Sequence, residues 1–151
     1  MNNLDLSIKE INELLKTKKI KPLDLVNEAF DRIEKSNLNA FITLNKEEAI
    51  KEAIALENKE VDNLLFGIPV CIKDNIVTKN LKTTCASRIL DNFIPPYDAE
   101  VIKRIKDNHM IIIGKTNMDE FAMGSTGETS FYGNTLNPWN NEYVPGGSSS
   151  G

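Results

Sequence analysis

The sequence is poor in the residue types that most often announce a metal or redox centre. Its 151 residues include two cysteines, Cys71 and Cys85, one histidine, His109, and one tryptophan, Trp139. Neither cysteine has a CxxC partner, and a single histidine cannot complete a zinc ligand set, so both cysteines read as small core hydrophobes. No apolar run approaches the roughly 18 residues of a membrane span. The opening MNNLDLSIKE also lacks the charged-then-apolar layout of a secretion signal, which makes the cytoplasm the expected compartment. Basic charge is scarce too. Lys and Arg total 18 against 22 for Asp and Glu, a net charge of -4, and no segment concentrates it. Direct grip on a phosphate backbone is therefore disfavoured, and a nucleic acid would have to be held by another protein.

What is present is the material of one ordinary soluble domain, 40% hydrophobic and 26% charged. Ser7 and Glu10 fit a capping box, and Ile8, Ile11, Leu14 and Leu15 recur at helical spacing behind them. The stretch KKIKP ends that helix, and Pro22 suits the first turn of a second, striped by Leu25, Val26, Ala29, Phe30 and Ile33. After FITLN a third helix is expected, with Asn45 and Glu48 as caps and Ala49, Ile50, Ala53 and Leu56 facing inward. This makes residues 1–60 a helical segment. Residues 61–151 change character. LFGIPVCIK reads as a buried strand delivering Lys73 at its end, PPYDAEVIKRIKDN as a helix with Asp98 as N-cap and Val101, Ile102 and Ile105 on one face, and HMIIIGKT as a second buried strand. Strand, helix, strand is an α/β pattern. From Asn117 to Gly151 the chain is rich in Gly, Ser, Thr and Asn, too long for an idle connection and so suspected of function.

Five groups of residues are candidates for chemistry. GKT at Gly114–Thr116 resembles the end of a phosphate-binding loop, but the glycine needed five positions earlier is His109, and an apolar strand lies between. Lys115 is then an ordinary strand-end lysine. Lys73 closes an apolar run and precedes Asp74: it is either half of a solvated Lys–Asp pair or a buried amine, and burial favours the neutral form that can accept a proton. Asp119 and Glu120 could be an acid/base pair, but capping and solvated-face duties explain them more simply. A Cys85–His109 hydrolase lacks any orienting third residue. The closing VPGGSSSG has the composition of a flexible tail, yet NPWNNEYVP leads into it as an ordered approach would, and its paired glycines permit close backbone approach to a ligand.

Taken together, FGIPVCIKDNI, TTCASRIL, GKTNMDEFAMGSTGETSFYGNTLNPWN and VPGGSS resemble the amidase signature family, over essentially the whole chain. NMDEFAMGS narrows the resemblance to the A-subunit family of glutamyl-tRNA(Gln) amidotransferases. The resemblance implies an α/β/α fold with a central mixed sheet, of which this chain holds the N-terminal portion, and a Ser-Ser-Lys triad. Lys73 corresponds to the family's lysine and Ser148 to its bridging serine, held through a cis peptide bond. Residues Ala122, Met123, Gly124, Ser125 and Thr126 fall where the substrate loop is expected. The implied reaction is glutaminase chemistry: glutamine gives up ammonia, which passes to the amidating B-subunit that acts on Glu-tRNA(Gln), within a heterotrimer completed by the C-subunit. ATP and Mg are expected on that amidating partner and no cofactor or metal on this chain.

Two positions depart from the family pattern. Ser150 stands where GGSSGG would place glycine, which could restrict a turn needing positive φ, and Gly127 stands where a threonine is usual, removing a hydroxyl near the substrate loop. The family's nucleophilic serine lies beyond position 151, so the chain is expected to be an inactive fragment. The other readings are a general small-amide amidase with the same triad, and a noncatalytic interaction module whose helices dock a partner and whose glycine–serine end is a tail.

Overall fold

The computed structural model describes residues 2–151. Its helices are α1 (Ile8–Lys16), α2 (Pro22–Glu34), α3 (Lys46–Leu56) and α4 (Glu100–Asp107), and its strands β1 (Phe41–Leu44), β2 (Pro69–Lys73) and β3 (Ile111–Thr116). The chain divides into two compact units. One is formed by residues up to Lys35 with Asn45–Val70 and Lys103–Ile113, the other by Ser36–Leu44, Cys71–Ile102 and Gly114–Gly151. β2 and β3 each begin in the first unit and end in the second.

The first unit is held by the apolar faces of its helices. Ser7 accepts the Glu10 N–H at 3.3 Å and Glu10 accepts the Ser7 N–H at 2.8 Å, so the expected capping box opens α1. Pro22 occupies the first turn of α2. Ile11 and Leu15 of α1, Leu25 of α2 and Ile68 form one buried cluster, with Leu4, Leu6, Ile20, Val61 and Met110 packed around it. Each fully buried aliphatic side chain contributes about 1.5–3 kcal/mol. On α3 the inward face is Ala49, Ala53 and Leu56. Asn45 differs from expectation: its side chain makes no cap bond and its Nδ2 donates instead to the Ile112 carbonyl at 3.0 Å, fastening the start of α3 to β3.

The sheet has the order β1-β3-β2. FITL, assigned to no element from the sequence, is the strand β1, paired antiparallel to β3 with Phe41 opposite Thr116 and Leu44 opposite Gly114. Ile111 N–H donates to Ile68 O and Asp74 N–H to Thr116 O, so β2 runs parallel to β3 and the sheet is mixed. All six residues of the central strand β3 are buried, the apolar Ile111–Ile113 and the Gly114–Thr116 that follow them alike. Gly114 is needed there because a side chain would meet the Thr43 carbonyl and lie 3.2 Å from Leu44 Cα.

β2 is less buried than its apolar sequence suggests. It is an edge strand, so only Ile72 is buried within it and Cys71 is exposed. Successive side chains of a strand point to opposite faces, and here one face has little above it. Cys85 is half-buried, so neither cysteine is a core residue. On α4, Ile102 is buried but Val101 is exposed, because the helix contributes a narrower stripe than the one expected. No helix among the described residues is long and apolar enough to cross a membrane.

Candidate active site

The end of β2 delivers Lys73, whose Nζ donates to Ser148 Oγ at 2.7 Å and to Ser149 Oγ at 2.8 Å. The peptide bond between Gly147 and Ser148 is cis. Lys73 is half-buried rather than interior, which corrects the expectation that the apolar run would carry it into the core: the edge position of β2 leaves its last side chain partly open to solvent.

Asp74, in the turn just after β2, is fully buried. Its Oδ2 accepts from Thr84 N–H at 2.9 Å and Thr84 Oγ1 at 2.5 Å. Its Oδ1 has no hydrogen-bond partner and lies 3.5 Å from Lys115 Nζ. Lys115 is therefore no ordinary strand-end lysine. It is fully buried, donates to Ile76 O at 2.8 Å and Thr83 Oγ1 at 2.7 Å, and pairs with the carboxylate next to Lys73. Burial pulls the Lys115 amine down to about 8, against the upward pull of Asp74. The solvated Lys73–Asp74 pair considered from the sequence is not formed: Asp74 is buried and pairs with Lys115, while Lys73 bonds to Ser148 and Ser149.

The glycine- and serine-rich end is ordered by bonds to the segment after β3. Asp119 N–H donates to Ser148 O at 3.0 Å, and Gly151 N–H to Asn117 O at 3.0 Å. A side chain at 151 would strike Ala40 O. Asp119 is fully buried, contrary to a solvated-face role. Its carboxylate accepts from Gly127 N–H at 3.1 Å, and from Thr129 N–H at 3.3 Å and Oγ1 at 3.0 Å. Burial pushes this carboxyl upward, but the Gly127 and Thr129 bonds outweigh it and hold the group below the usual aspartate value. The loop Ala122–Thr126 is thereby tethered to the serine run at its base. Gly124 has no room for a side chain against the Asp119 carboxylate, while Met123, Gly124 and Ser125 are exposed. Ser150, expected to strain a turn, does not adopt positive φ; its Oγ lies 3.0 Å from Thr135 Oγ1. Cys85, Ala86, Phe121 and Ala122 do adopt positive φ, and Phe121 N–H donates to Cys85 O at 2.9 Å.

Other candidates fare differently. His109 packs edge-on against Phe66 with ring centroids 5.5 Å apart in the first unit, whereas Cys85 belongs to the second. Burial and the nearby Asp74 charge push the Cys85 thiol up, the wrong direction for a nucleophile. Among the described residues no three His, Cys, Asp or Glu side chains cluster as metal ligands. A groove of about 570 Å³ in the first unit, lined by Leu15, Lys21, Leu56 and Phe66 among others, includes no residue of the serine–lysine cluster. Sequence reasoning missed Ser149, Lys115 and the structural role of Asp119; burial, which decides the last two, has no signature in a lone polar residue.

The sequence model of the amidase family matches residues 24–151. The chain belongs to the amidase family. It is 54% identical over 155 residues to the glutamyl-tRNA(Gln) amidotransferase A-subunit of Listeria monocytogenes serotype 4b strain F2365. It is 51% identical over 155 residues to the protein of the same name from Pediococcus pentosaceus. Each match covers 100% of this chain and 32% of the relative, so the chain spans about a third of their length. Among solved structures, the Thermotoga maritima glutamyl-tRNA(Gln) amidotransferase A-subunit is 41% identical with a TM-score of 0.68, covering 98% of this chain and 29% of that one. The native peptide amidase from Stenotrophomonas maltophilia is 28% identical with a TM-score of 0.87, covering 95% and 32%. The amidase fold, here represented by part of its α/β domain with a mixed sheet, agrees with the expected class.

Proposed function

We propose that this amidase-family chain is the N-terminal portion of a glutaminase subunit that supplies ammonia for converting Glu-tRNA(Gln) to Gln-tRNA(Gln). The observation that carries the reading is the 2.7 Å contact between Lys73 Nζ and Ser148 Oγ, on a backbone tethered by Asp119. In this relay Ser148 takes the proton of a nucleophilic serine supplied by chain beyond residue 151 and passes its own to Lys73. The nucleophile adds to the side-chain amide carbon of glutamine. Lys73 then returns the proton through Ser148 to the departing nitrogen, ammonia leaves, and water cleaves the glutamyl ester to glutamate. Ser149, also on Lys73 Nζ, orients the amine. Ammonia passes to the B-subunit, where ATP and Mg activate the glutamyl-tRNA, and the C-subunit completes the complex.

Identity of 51–54% to A-subunit proteins over the whole chain supports this substrate choice. A second reading, a general amidase acting on small amides, is favoured by the closer backbone agreement with the peptide amidase. Glutamine-dependent ammonia release by the full-length protein with its partner subunits tests both. Lys73→Ala and Ser148→Ala are each expected to lower it by on the order of 10³-fold or more. Activity surviving either change rejects the relay, and equal turnover of simple amides without partners selects the second reading.

A further inference from the structure

Gly127 and Ser150 meet beneath the serine run. Gly127 has φ +80, and a β-carbon placed on it would lie 2.6 Å from Ser150 Cβ, 3.1 Å from Gly146 O and 3.2 Å from Pro145 Cγ. The first separation is shorter than two carbons tolerate, and neither partner atom is the free end of a long side chain. All three neighbours belong to the segment that carries Ser148. Thr135 touches both sides of the contact: it is buried, its N–H donates to Gly127 O at 3.4 Å, and its Oγ1 lies 3.0 Å from Ser150 Oγ. Gly127 N–H is in turn held by the Asp119 carboxylate, whose own backbone N–H holds Ser148 O.

We infer that Gly127 and Ser150 are a coupled positioning pair: the space between their backbones admits one side chain, and which residue fills it fixes where the Ser148 segment sits against the Asp119–Thr129 loop. Neither residue touches the reacting atoms; each acts through the placement of Ser148, so the inference rests on the relay reading above.

The test is a double-mutant cycle of G127A and S150G in the full-length enzyme with its partner subunits, read by thermal midpoint, kcat and KM for glutamine. The positive φ burdens G127A equally in both backgrounds and cancels in the cycle. With Ser150 present, G127A is expected to lower kcat on the order of tenfold, with KM moved by less than about twofold. In the S150G background the same substitution is expected to cost several-fold less. If G127A prevents folding, recovery of soluble, cooperatively melting enzyme in G127A/S150G supports the pair. Equal losses in the two backgrounds, or no recovery of the double variant, overturn it. A parent enzyme that releases no ammonia tells against the functional reading alone, and the thermal-midpoint cycle then still decides the inference.

Discussion

Adjacent residues Lys73 and Asp74 part company where β2 gives way to a turn, one reaching the Ser148 and Ser149 hydroxyls and the other a buried amine. Stability should record that buried amine. Lys115 is pulled down to about 8 from an ordinary 10.5, so the unfolded chain binds more protons between those values. Stability is therefore expected to rise as pH climbs from 8 toward 10.5, once the charged form need no longer be buried. Thermal midpoints of the parent and Lys115→Met across this range should diverge, and parallel curves would mean that the amine keeps its ordinary value. Asp119 gives a second prediction. Replacing it with Ala leaves Gly127 and Thr129 N–H groups without an acceptor and is expected to cost about 1–3 kcal/mol, measurable by denaturant unfolding. Lys73 and Ser148 stood out in two separate motifs, IKDN and GGSS, which the fold brings within 2.7 Å, whereas Lys115 was read as an ordinary strand-end lysine and Asp119 as a capping or solvated-face residue. A polar side chain in a glycine-rich or strand-end context carries no mark of its burial until the rest of the fold encloses it.

Elements differ in how much of their logic is local. α1 is specified by its own residues, and Ser7→Ala is expected to lose about 1 kcal/mol, seen as a lower thermal midpoint, because the Glu10 N–H loses its acceptor. The strands depend on distant partners. FITL offers only four residues, too few for its alternation to stand out, and becomes a strand because β3 presents a free edge to it. The bareness of Gly114 is the price of that closeness: Gly114→Val should separate β1 from β3 and destabilise by about 1–3 kcal/mol, with faster amide exchange at Thr43 and Leu44. Cys71 and Val101 were placed inward by hydrophobicity, but an edge strand and a narrow helix stripe leave them at the surface, since composition does not reveal which face lacks a neighbour.

Across the whole molecule the apolar surface is substantial. Trp139, Ile89, Met123 and Tyr143 are mostly exposed, and the chain covers about a third of its amidase relatives. Residues 1–151 produced alone are expected to bind a hydrophobic dye and to melt over a broad range; a sharp transition with no dye binding would show that this portion is self-sufficient. Fold class and family were legible because the strand–helix–strand order and the motifs are local in sequence, while each of the two units is assembled from three separate segments of the chain that no single window contains.

The enclosure of Lys115 also gives the protein an internal gauge. A reagent that acetylates amines in water should modify every accessible lysine and spare this one for as long as the sheet holds. Its labelling rate, followed by mass spectrometry, would then time the opening of β3 from within.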